Sequence, residues 1–266
     1  MNKLMNIPEI LKELELYTGR FPERAMRVVV QQREAITPEL LGVLETVAEA
    51  PRRHAEQEDY MLHLFALFLL AQFREKRAYP LIVRIFSAPG ETPFDLAGDT
   101  VTEGLSRIFG SVYDGNPAAL QSLVENEEAN EYVRSAAIDT FLVLEHSGQM
   151  TRQEVVGYFR RLFGGKLMRK HSCAWDSLVS AAAYLPAPEL LEDVRRAYQD
   201  CLVDPGFADL KRIEGDLLGP GQHYRENYNI ITDAIAEMEW WASFHPEDER
   251  KRSRFNPRLG LLKRVT

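Results

Sequence analysis

The sequence has 266 residues, 45% of them hydrophobic, which is enough to bury a sizeable core, and its formal net charge is −8. Residues 250–266 hold seven basic and no acidic residues, so residues 1–249 carry 25 basic and 40 acidic residues, a net charge of −15. An acidic body argues against a protein that binds nucleic acid over its whole surface. The basic tail, residues 246–266, is expected to fold back on this body or to dock on RNA, a membrane or a partner.

Cysteine usage and the apolar segments indicate in which cellular compartment the protein is found. Cys173 and Cys201 form no CxxC motif and no disulfide framework, and are expected to be buried thiols in a reducing compartment. The N-terminus lacks the apolar run of a signal peptide, and the most apolar stretch, residues 60–73, is too short to span a bilayer. The sequence therefore predicts a cytoplasmic protein with no membrane span.

Apolar residues in the first half recur at spacings of three and four, which predicts helices. These helices are separated by Gly and Pro signals and cover residues 7–17, 22–35, 37–50, 58–73, 77–86, 95–109 and 117–124. Thr37 and Pro38 predict the N-cap and first residue of the third helix. The helix over 58–73 is apolar almost all round, so it is expected to be central, with His63 as a hydrogen-bonded core histidine.

The second half continues the pattern, with predicted helices over residues 131–145, 151–163, 170–185, 189–201, 207–218 and 224–244. Thr151 and Glu154 have the spacing of a capping box. Trp240 and Trp241, near the end of the last long helix, are expected to cover the hydrophobic end of the fold. No stretch shows β alternation bounded by hairpin turns, so the predicted fold class is all-α.

The predicted long helices recur at a nearly regular spacing along the sequence. Four residues occupy equivalent positions in successive long helices, at spacings of 36, 36 and 41 residues: Tyr60, Leu96, Tyr132 and Cys173. HEAT and armadillo repeats are about 40 residues long, so the period predicts an α-α superhelix, a HEAT/armadillo-like solenoid of helix pairs. It forms one domain over residues 1–245, whose inner helices line a concave face. A four-helix bundle would show longer helices and no such register.

Several blocks of the chain resemble a bacterial family of uncharacterised proteins, known as a domain of unknown function and built from HEAT-like repeats. The blocks are GDTVTEGLSRI (98–108), SVYDG (111–115), NEYVRSAA (130–137), WDSLVSAA (175–182), LVDPG (202–206) and EWW (239–241). The resemblance covers about residues 5–245 and implies the fold and a bacterial origin, but no activity. Many relatives carry a C-terminal SEC-C zinc motif. This chain has no cysteine after Trp241, so binding through that motif is not implied.

Polar residues of the predicted inner helices form the candidate binding site on the concave face. Asp99, Thr102, Glu103 and Arg107 have the i, i+3, i+4, i+8 spacing of one helix face. The next two inner helices add Arg134, Ser135, Asp139, Trp175 and Asp176. The alternatives are an ion-pair ladder that sets repeat packing, or paired carboxylates for acid/base catalysis, although no nucleophile or cofactor signature accompanies them.

The predicted function is a non-enzymatic helical-repeat protein of unknown specific function that binds a protein or peptide on its concave face. No catalytic residue, cofactor or metal site is predicted, because GxGxxG, P-loop, GxSxG and HExxH motifs are missing from the sequence. The alternative is a nucleic-acid-binding or nucleic-acid-processing HEAT-like protein that uses the basic tail from Arg250 to Arg264. A structural role in a homo-oligomer is a third hypothesis.

Overall fold

The computed structural model describes residues 5–219 and 227–245. Within these ranges the chain forms α-helices, short 3₁₀ and π turns and loops, without a β-strand, so the predicted all-α class is confirmed. The sixteen α-helices of the described residues are α1 (Ile7–Glu15), α2 (Glu23–Gln31), α3 (Arg33–Glu49), α4 (Pro51–Ala55), α5 (Leu62–Phe73), α6 (Ala78–Phe86), α7 (Thr92–Ala97), α8 (Thr100–Glu103), α9 (Leu105–Val112), α10 (Ala118–Glu125), α11 (Glu131–His146), α12 (Arg152–Arg161), α13 (Cys173–Tyr184), α14 (Leu191–Gln199), α15 (Leu210–Leu218) and α16 (Ala234–Met238). Among them we find no helix with the length and apolar character needed to cross a membrane.

Six helices pack side by side in chain order, and we call them the central row: α3, α5, α9, α11, α13 and α15. Each contacts the next one in this series, and shorter helices such as α6 and α10 pack against the same members. Packing of each unit on its sequence neighbours is what a solenoid requires. The superhelix itself, like the division into a domain over 1–245 and a tail over 246–266, stays a prediction, and the tail lies outside the described residues.

Helix α5 is central, as its composition predicts. Every residue of α5 except Gln72 is buried, and the helix packs against α1, α3, α9 and α16. His63 is only 5% exposed, and its Nε2 lies 2.7 Å from the carbonyl oxygen of Leu96. Both expectations for this segment, a central helix and a hydrogen-bonded core histidine, are confirmed.

Close packing between α9 and α11 depends on one glycine. A Cβ atom placed on Gly110 would lie 2.4 Å from Cγ1 of Val143, which is far inside van der Waals contact. The missing side chain therefore lets the two helices approach, while the predicted stripe of α11, with Val133 and Phe141, is fully buried. The predicted capping box at the start of α12 is also confirmed, with Thr151 and Glu154 each accepting a hydrogen bond from the other's backbone N–H.

Three local predictions are wrong. The single helix predicted over 95–109 is divided into α7, α8 and α9, because Gly98 has a left-handed φ of 50° and a second interruption falls at Gly104. Helix α3 begins at Arg33, so Thr37 is not its N-cap; its hydroxyl instead donates to the carbonyl of Arg33 at 2.7 Å. The prediction that both cysteines are buried is also wrong, since Cys173 is half-buried and Cys201 is exposed.

The predicted long helix over 224–244 is also wrong in its described part, since only α16 and the 3₁₀ turn Ala242–Phe244 are helical after residue 228. Residues 224–226 lie outside the described residues. We call residues 227–245 the C-terminal strap. Asp233 caps α16 by accepting hydrogen bonds from the amides of Ile235 and Ala236.

The strap crosses the central row against the chain order, from α13 back to the end of α1. The contacts that define this path are Tyr228 with Tyr184 (ring centroids 5.6 Å apart), Asn229 with His146 (3.2 Å), the Ile231 amide with the Ser111 hydroxyl (2.8 Å), the Ala234 amide with the Gln72 side chain (2.9 Å), and the Tyr17 hydroxyl with the Ser243 carbonyl. The side chains of Ser111, Gln72 and Tyr17 satisfy backbone groups of the strap that a continuous helix would have paired internally.

Candidate functional site: an acidic and aromatic cavity

A cavity of about 500 Å³ lies between the first turns of α5, the segment that joins α7 to α9, and the end of the strap. Its carboxylates come from Glu58, Asp95, Asp99, Glu103 and Glu237. Its aromatic rings belong to Tyr60, Phe68, Phe94, Trp240 and Trp241. The described lining includes neither Lys nor Arg. We call this feature the acidic–aromatic cavity, and its volume lies in the usual range of ligand sites.

The break between α7 and α8 places two of the predicted residues in this cavity. Asp99 precedes α8 and Glu103 ends it, so the two carboxylates are one helical turn apart and both are exposed. Gly104 then lets the chain pass close to α5, since a Cβ there would meet Cζ of Phe68 at 3.3 Å. The local backbone therefore places Asp99 and Glu103 in one lining together with Phe68.

The aromatic residues differ in how they are held. Trp241 packs edge-on against Phe68 (5.6 Å between centroids), and its indole N–H donates to the carbonyl of Glu237 at 2.9 Å. Trp240 is 62% exposed, so of the two tryptophans expected to cover the hydrophobic end, Trp241 packs on the core and Trp240 faces solvent. Tyr60 stacks on His63 with centroids 5.4 Å apart and an interplanar angle of 8°.

The protonation of His63 follows from its hydrogen bond. Because the carbonyl oxygen of Leu96 only accepts, the proton of the neutral ring must sit on Nε2, which leaves a lone pair on Nδ1. Burial lowers the pKa of His63, while the bond to Leu96 opposes this shift. Within the described residues, Nδ1 of His63 has no hydrogen-bond partner, and neither has Nδ1 of His54, which also lines the cavity.

Arg107 anchors the strap behind this cavity. Its guanidinium binds both carboxylate oxygens of Glu237 at 2.7 and 2.6 Å, and its Nε donates to the carbonyl of Asn229 at 2.7 Å. The predicted counter-charge of the groove is therefore engaged within the fold. Thr102, which shares α8 with Glu103, is exposed but does not line the cavity.

Three of the predicted residues lie in the interior and not on an exposed face. Arg134 is 6% exposed and donates from Nε to the carbonyl of Val124 at 2.9 Å, and burial lowers its pKa. Trp175 is fully buried, and its indole N–H donates to the carbonyl of Met168 at 2.8 Å.

Asp176 is 7% exposed and accepts a hydrogen bond from the Asp204 amide at 2.8 Å, and burial raises its pKa. The reason for these placements is that α11 and α13 each pack against several other helices, so positions off the apolar stripe are covered as well.

Ser135 and Asp139 lie one turn apart on α11, outside the cavity lining. The Ser135 hydroxyl is buried without a hydrogen-bond partner in the part of the chain that the structure describes. Asp139 is half-buried, and this burial raises its pKa to about 7. The charge of Asp139, after the larger effect of burial, also raises the pKa of Tyr228 in the strap.

Of the residues predicted for the site, Asp99 and Glu103 line this cavity, and the sequence did not point to the rest of its acidic and aromatic lining. The residues missed are Glu58, Tyr60, Asp95 and Glu237. Two signals were available: polar and aromatic residues directly before the most apolar helix, and three carboxylates within residues 95–103. In the described ranges, no group of three or more His, Cys, Asp or Glu side chains is arranged to hold a metal ion.

The geometry defines a class: an all-α protein with a row of neighbouring helices, crossed by its own C-terminal strap and carrying an acidic–aromatic cavity. Residues 5–245 match the family described as "Protein of unknown function (DUF1186)", and the chain belongs to that family. Uncharacterized proteins of Chlamydia trachomatis serovar D and Chlamydia muridarum are each 34% identical over 247 residues, which cover 91% of this chain and 98% and 99% of those proteins. No solved structure matches the chain.

Proposed function

We propose that this protein is a non-enzymatic helical-repeat protein that binds a protein or peptide partner at the acidic–aromatic cavity. The observation that carries the proposal is an open cavity of about 500 Å³ that joins exposed carboxylates to Trp240, a tryptophan that is 62% exposed. Exposed tryptophan is expensive to hydrate and is enriched where partners contribute most binding energy. Binding of a partner would bury this ring.

Two features support binding over the alternatives. The lining residues form no nucleophile–base hydrogen bond among the described residues, which favours recognition over nucleophilic catalysis. The carboxylates of the cavity and the net charge of −15 over residues 1–249 repel phosphate, which disfavours nucleic acid at this face. We keep the cytoplasmic location within the proposal, since both cysteines are free thiols.

Site-specific photo-crosslinking tests the proposal. A photoreactive phenylalanine analogue replaces Trp240 in one variant and Phe207 in the other, because both side chains are 62% exposed and Phe207 lies beside α15, outside the cavity lining. After irradiation in bacterial cells that express the chain, cross-linked proteins are identified by mass spectrometry. We expect a defined partner at position 240 that position 207 does not capture. The same set of adducts at both positions would show that the cavity is not the binding surface.

A charge variant completes this test. Asp99→Asn with Glu103→Gln removes two exposed carboxylates of the cavity without changing side-chain size. We expect this change, placed together with the photoreactive residue at 240, to weaken capture of the partner. The thermal midpoint of the variant should stay within a few degrees of the parent protein, because exposed charges contribute little to stability.

A further inference from the structure

We infer that the acidic–aromatic cavity receives a guanidinium or ammonium group from an arginine or lysine side chain of the partner, with arginine preferred. This inference rests on the proposed function and deepens it, because it names the chemical group that the partner presents. The charge of the lining, the unsatisfied acceptor of His63 and the aromatic rings support it.

The lining is rich in negative charge that the fold leaves unneutralised. Glu237 is paired with Arg107, but Glu58, Asp95, Asp99 and Glu103 form no ion pair within the described residues. Four exposed carboxylates around one cavity repel each other and attract a cation that enters between them. An anionic or phosphate-bearing ligand would add to the repulsion.

The distribution of the carboxylates around the cavity favours an organic cation over a metal ion. A divalent metal needs several oxygen or nitrogen ligands that converge within about 2–2.6 Å of one point. In the described part of the chain no such group of three or more is present, although five carboxylates line the cavity. Carboxylates spread over a cavity of about 500 Å³ instead suit a cation that donates several hydrogen bonds in different directions.

His63 supplies an independent indication of a donor. The ring lines the cavity, is only 5% exposed, and holds its Nε2 proton against the Leu96 carbonyl. Its Nδ1 is therefore an acceptor, and it has no partner among the described residues. Nδ1 is itself covered, so a ligand that brings N–H groups reaches it only when the side chains around the ring move. Such a ligand would satisfy a buried acceptor that is costly to leave without a donor.

The aromatic rings favour arginine. Trp240 offers an exposed indole face at the rim, and tryptophan is the ring that attracts cations most strongly. A guanidinium is planar, stacks on such faces, and carries five N–H donors in a fixed fork that matches carboxylates. An ammonium satisfies the charge but not the stacking, so we expect lysine to bind more weakly.

A peptide titration tests this inference on the full chain. The probes are acetylated and amidated peptides in which glycine alternates with three arginines, three lysines or three glutamines, and binding is measured by calorimetry at 0.15 M salt. The protein is compared with Asp99→Asn/Glu103→Gln and with a matched control, Glu39→Gln/Glu45→Gln, which removes two exposed carboxylates of α3 that do not line the cavity. A fourth protein carries glutamine at the seven basic positions of residues 250–266, so that the tail offers no competing cation.

We expect the arginine peptide to bind best, the lysine peptide about threefold to tenfold more weakly, and the glutamine peptide not measurably. The cavity variant should bind the arginine peptide about tenfold more weakly, while the α3 control should change by less than about twofold. The protein with the neutral tail should bind at least as tightly as the unchanged chain.

Three results would overturn the inference. Equal loss in the cavity variant and in the α3 control means that the attraction comes from overall charge. Equal binding of the glutamine peptide means that the cavity does not recognise a cation. Binding only when the tail is neutral means that the chain's own tail, and not a partner, is the occupant. If position 240 still captures a partner in the cross-linking test, the proposed function stands in each case; if position 240 captures nothing beyond position 207, the proposed function itself fails.

Discussion

Replacing Arg107 with alanine removes the main anchor of the strap and therefore loosens one wall of the cavity. The guanidinium makes three hydrogen bonds to the strap, two to the Glu237 carboxylate at 2.7 and 2.6 Å and one to the Asn229 carbonyl at 2.7 Å. The side chains of Arg107 and Glu237 are 21% and 24% exposed, so solvent screens their interaction only in part.

The expected cost follows from these contacts. Hydrogen bonds to charged groups contribute about 1.5–3 kcal/mol each when they are buried, and screening by the remaining solvent contact reduces this value. We therefore expect Arg107→Ala to lower the free energy of strap opening by about 2 kcal/mol. Since 1.4 kcal/mol is a factor of ten, this corresponds to roughly 30-fold faster exchange of amides that the strap protects.

Hydrogen exchange at the amides of Ile231 and Ala234 measures this effect, because these amides donate to Ser111 and Gln72 of the central row. The matched control is Arg152→Ala. Arg152 also binds a carboxylate with two bonds, to Glu189 at 2.7 and 3.1 Å, and also donates to backbone carbonyls, but it does so between α12 and the loop after α13.

The control should lower global stability without changing exchange in the strap. Unchanged exchange in Arg107→Ala, or an equal increase in Arg152→Ala, would refute the view that Arg107 holds the strap.

Further predictions concern the scaffold. In urea denaturation, Gly110→Ala should lower the free energy of unfolding by about 1–3 kcal/mol, because the added Cβ would lie 2.4 Å from Val143. The control Gly157→Ala, whose Cβ meets nothing within 4 Å, should be neutral or stabilising. Equal effects of the two substitutions would contradict the close packing at Gly110. The pKa of Asp139 is about 7 in the folded protein, above its value of about 4 in the unfolded chain. Its contribution to the free energy of unfolding is therefore greatest below about pH 4 and is lost as the pH rises through about 7. As the pH rises from 5 to 8, the free energy of unfolding of Asp139→Asn should therefore increase by about 1–2 kcal/mol relative to that of the parent. This value is smaller than the pKa shift alone implies, because the residue is half-buried and keeps some contact with water. Parallel curves of stability against pH for the two proteins would exclude this role. Thr151→Ala should cost about 1 kcal/mol in the same assay by removing the capping box, and no change would show that the cap is dispensable.

Local sequence signals predicted what depends on neighbouring residues. The capping box at Thr151, the apolar composition of α5 and the hydrogen-bonded His63 all follow from a few adjacent positions, and the structure confirms them. The all-α class follows from helical spacing over the whole chain, and the described residues confirm it, whereas the repeat and its superhelix stay a prediction.

The parts that sequence reasoning missed depend on long-range contacts. The strap pairs with residues far earlier in the chain, such as Arg107, which lies 122 positions before its partner Asn229, and no local pattern records such a pairing. The same separation explains why Glu237 and Trp240 were not assigned to the site of Asp99. Gly98 ends α7 with a positive φ of 50°. Glycine adopts such a conformation easily but also occurs inside helices, so its presence in the sequence did not predict the break.

The indole N–H resonances of the three tryptophans test the central claim most directly, in a two-dimensional ¹H–¹⁵N spectrum recorded as the arginine peptide is added at 0.15 M salt. Trp240 and Trp241 line the acidic–aromatic cavity, whereas Trp175 is fully buried in the core and serves as an internal reference. Binding of a guanidinium in the cavity predicts that the resonances of Trp240 and Trp241 move with a single saturable affinity while that of Trp175 stays in place. A stationary Trp240 resonance at saturating peptide, or equal shifts at all three tryptophans, would contradict the account.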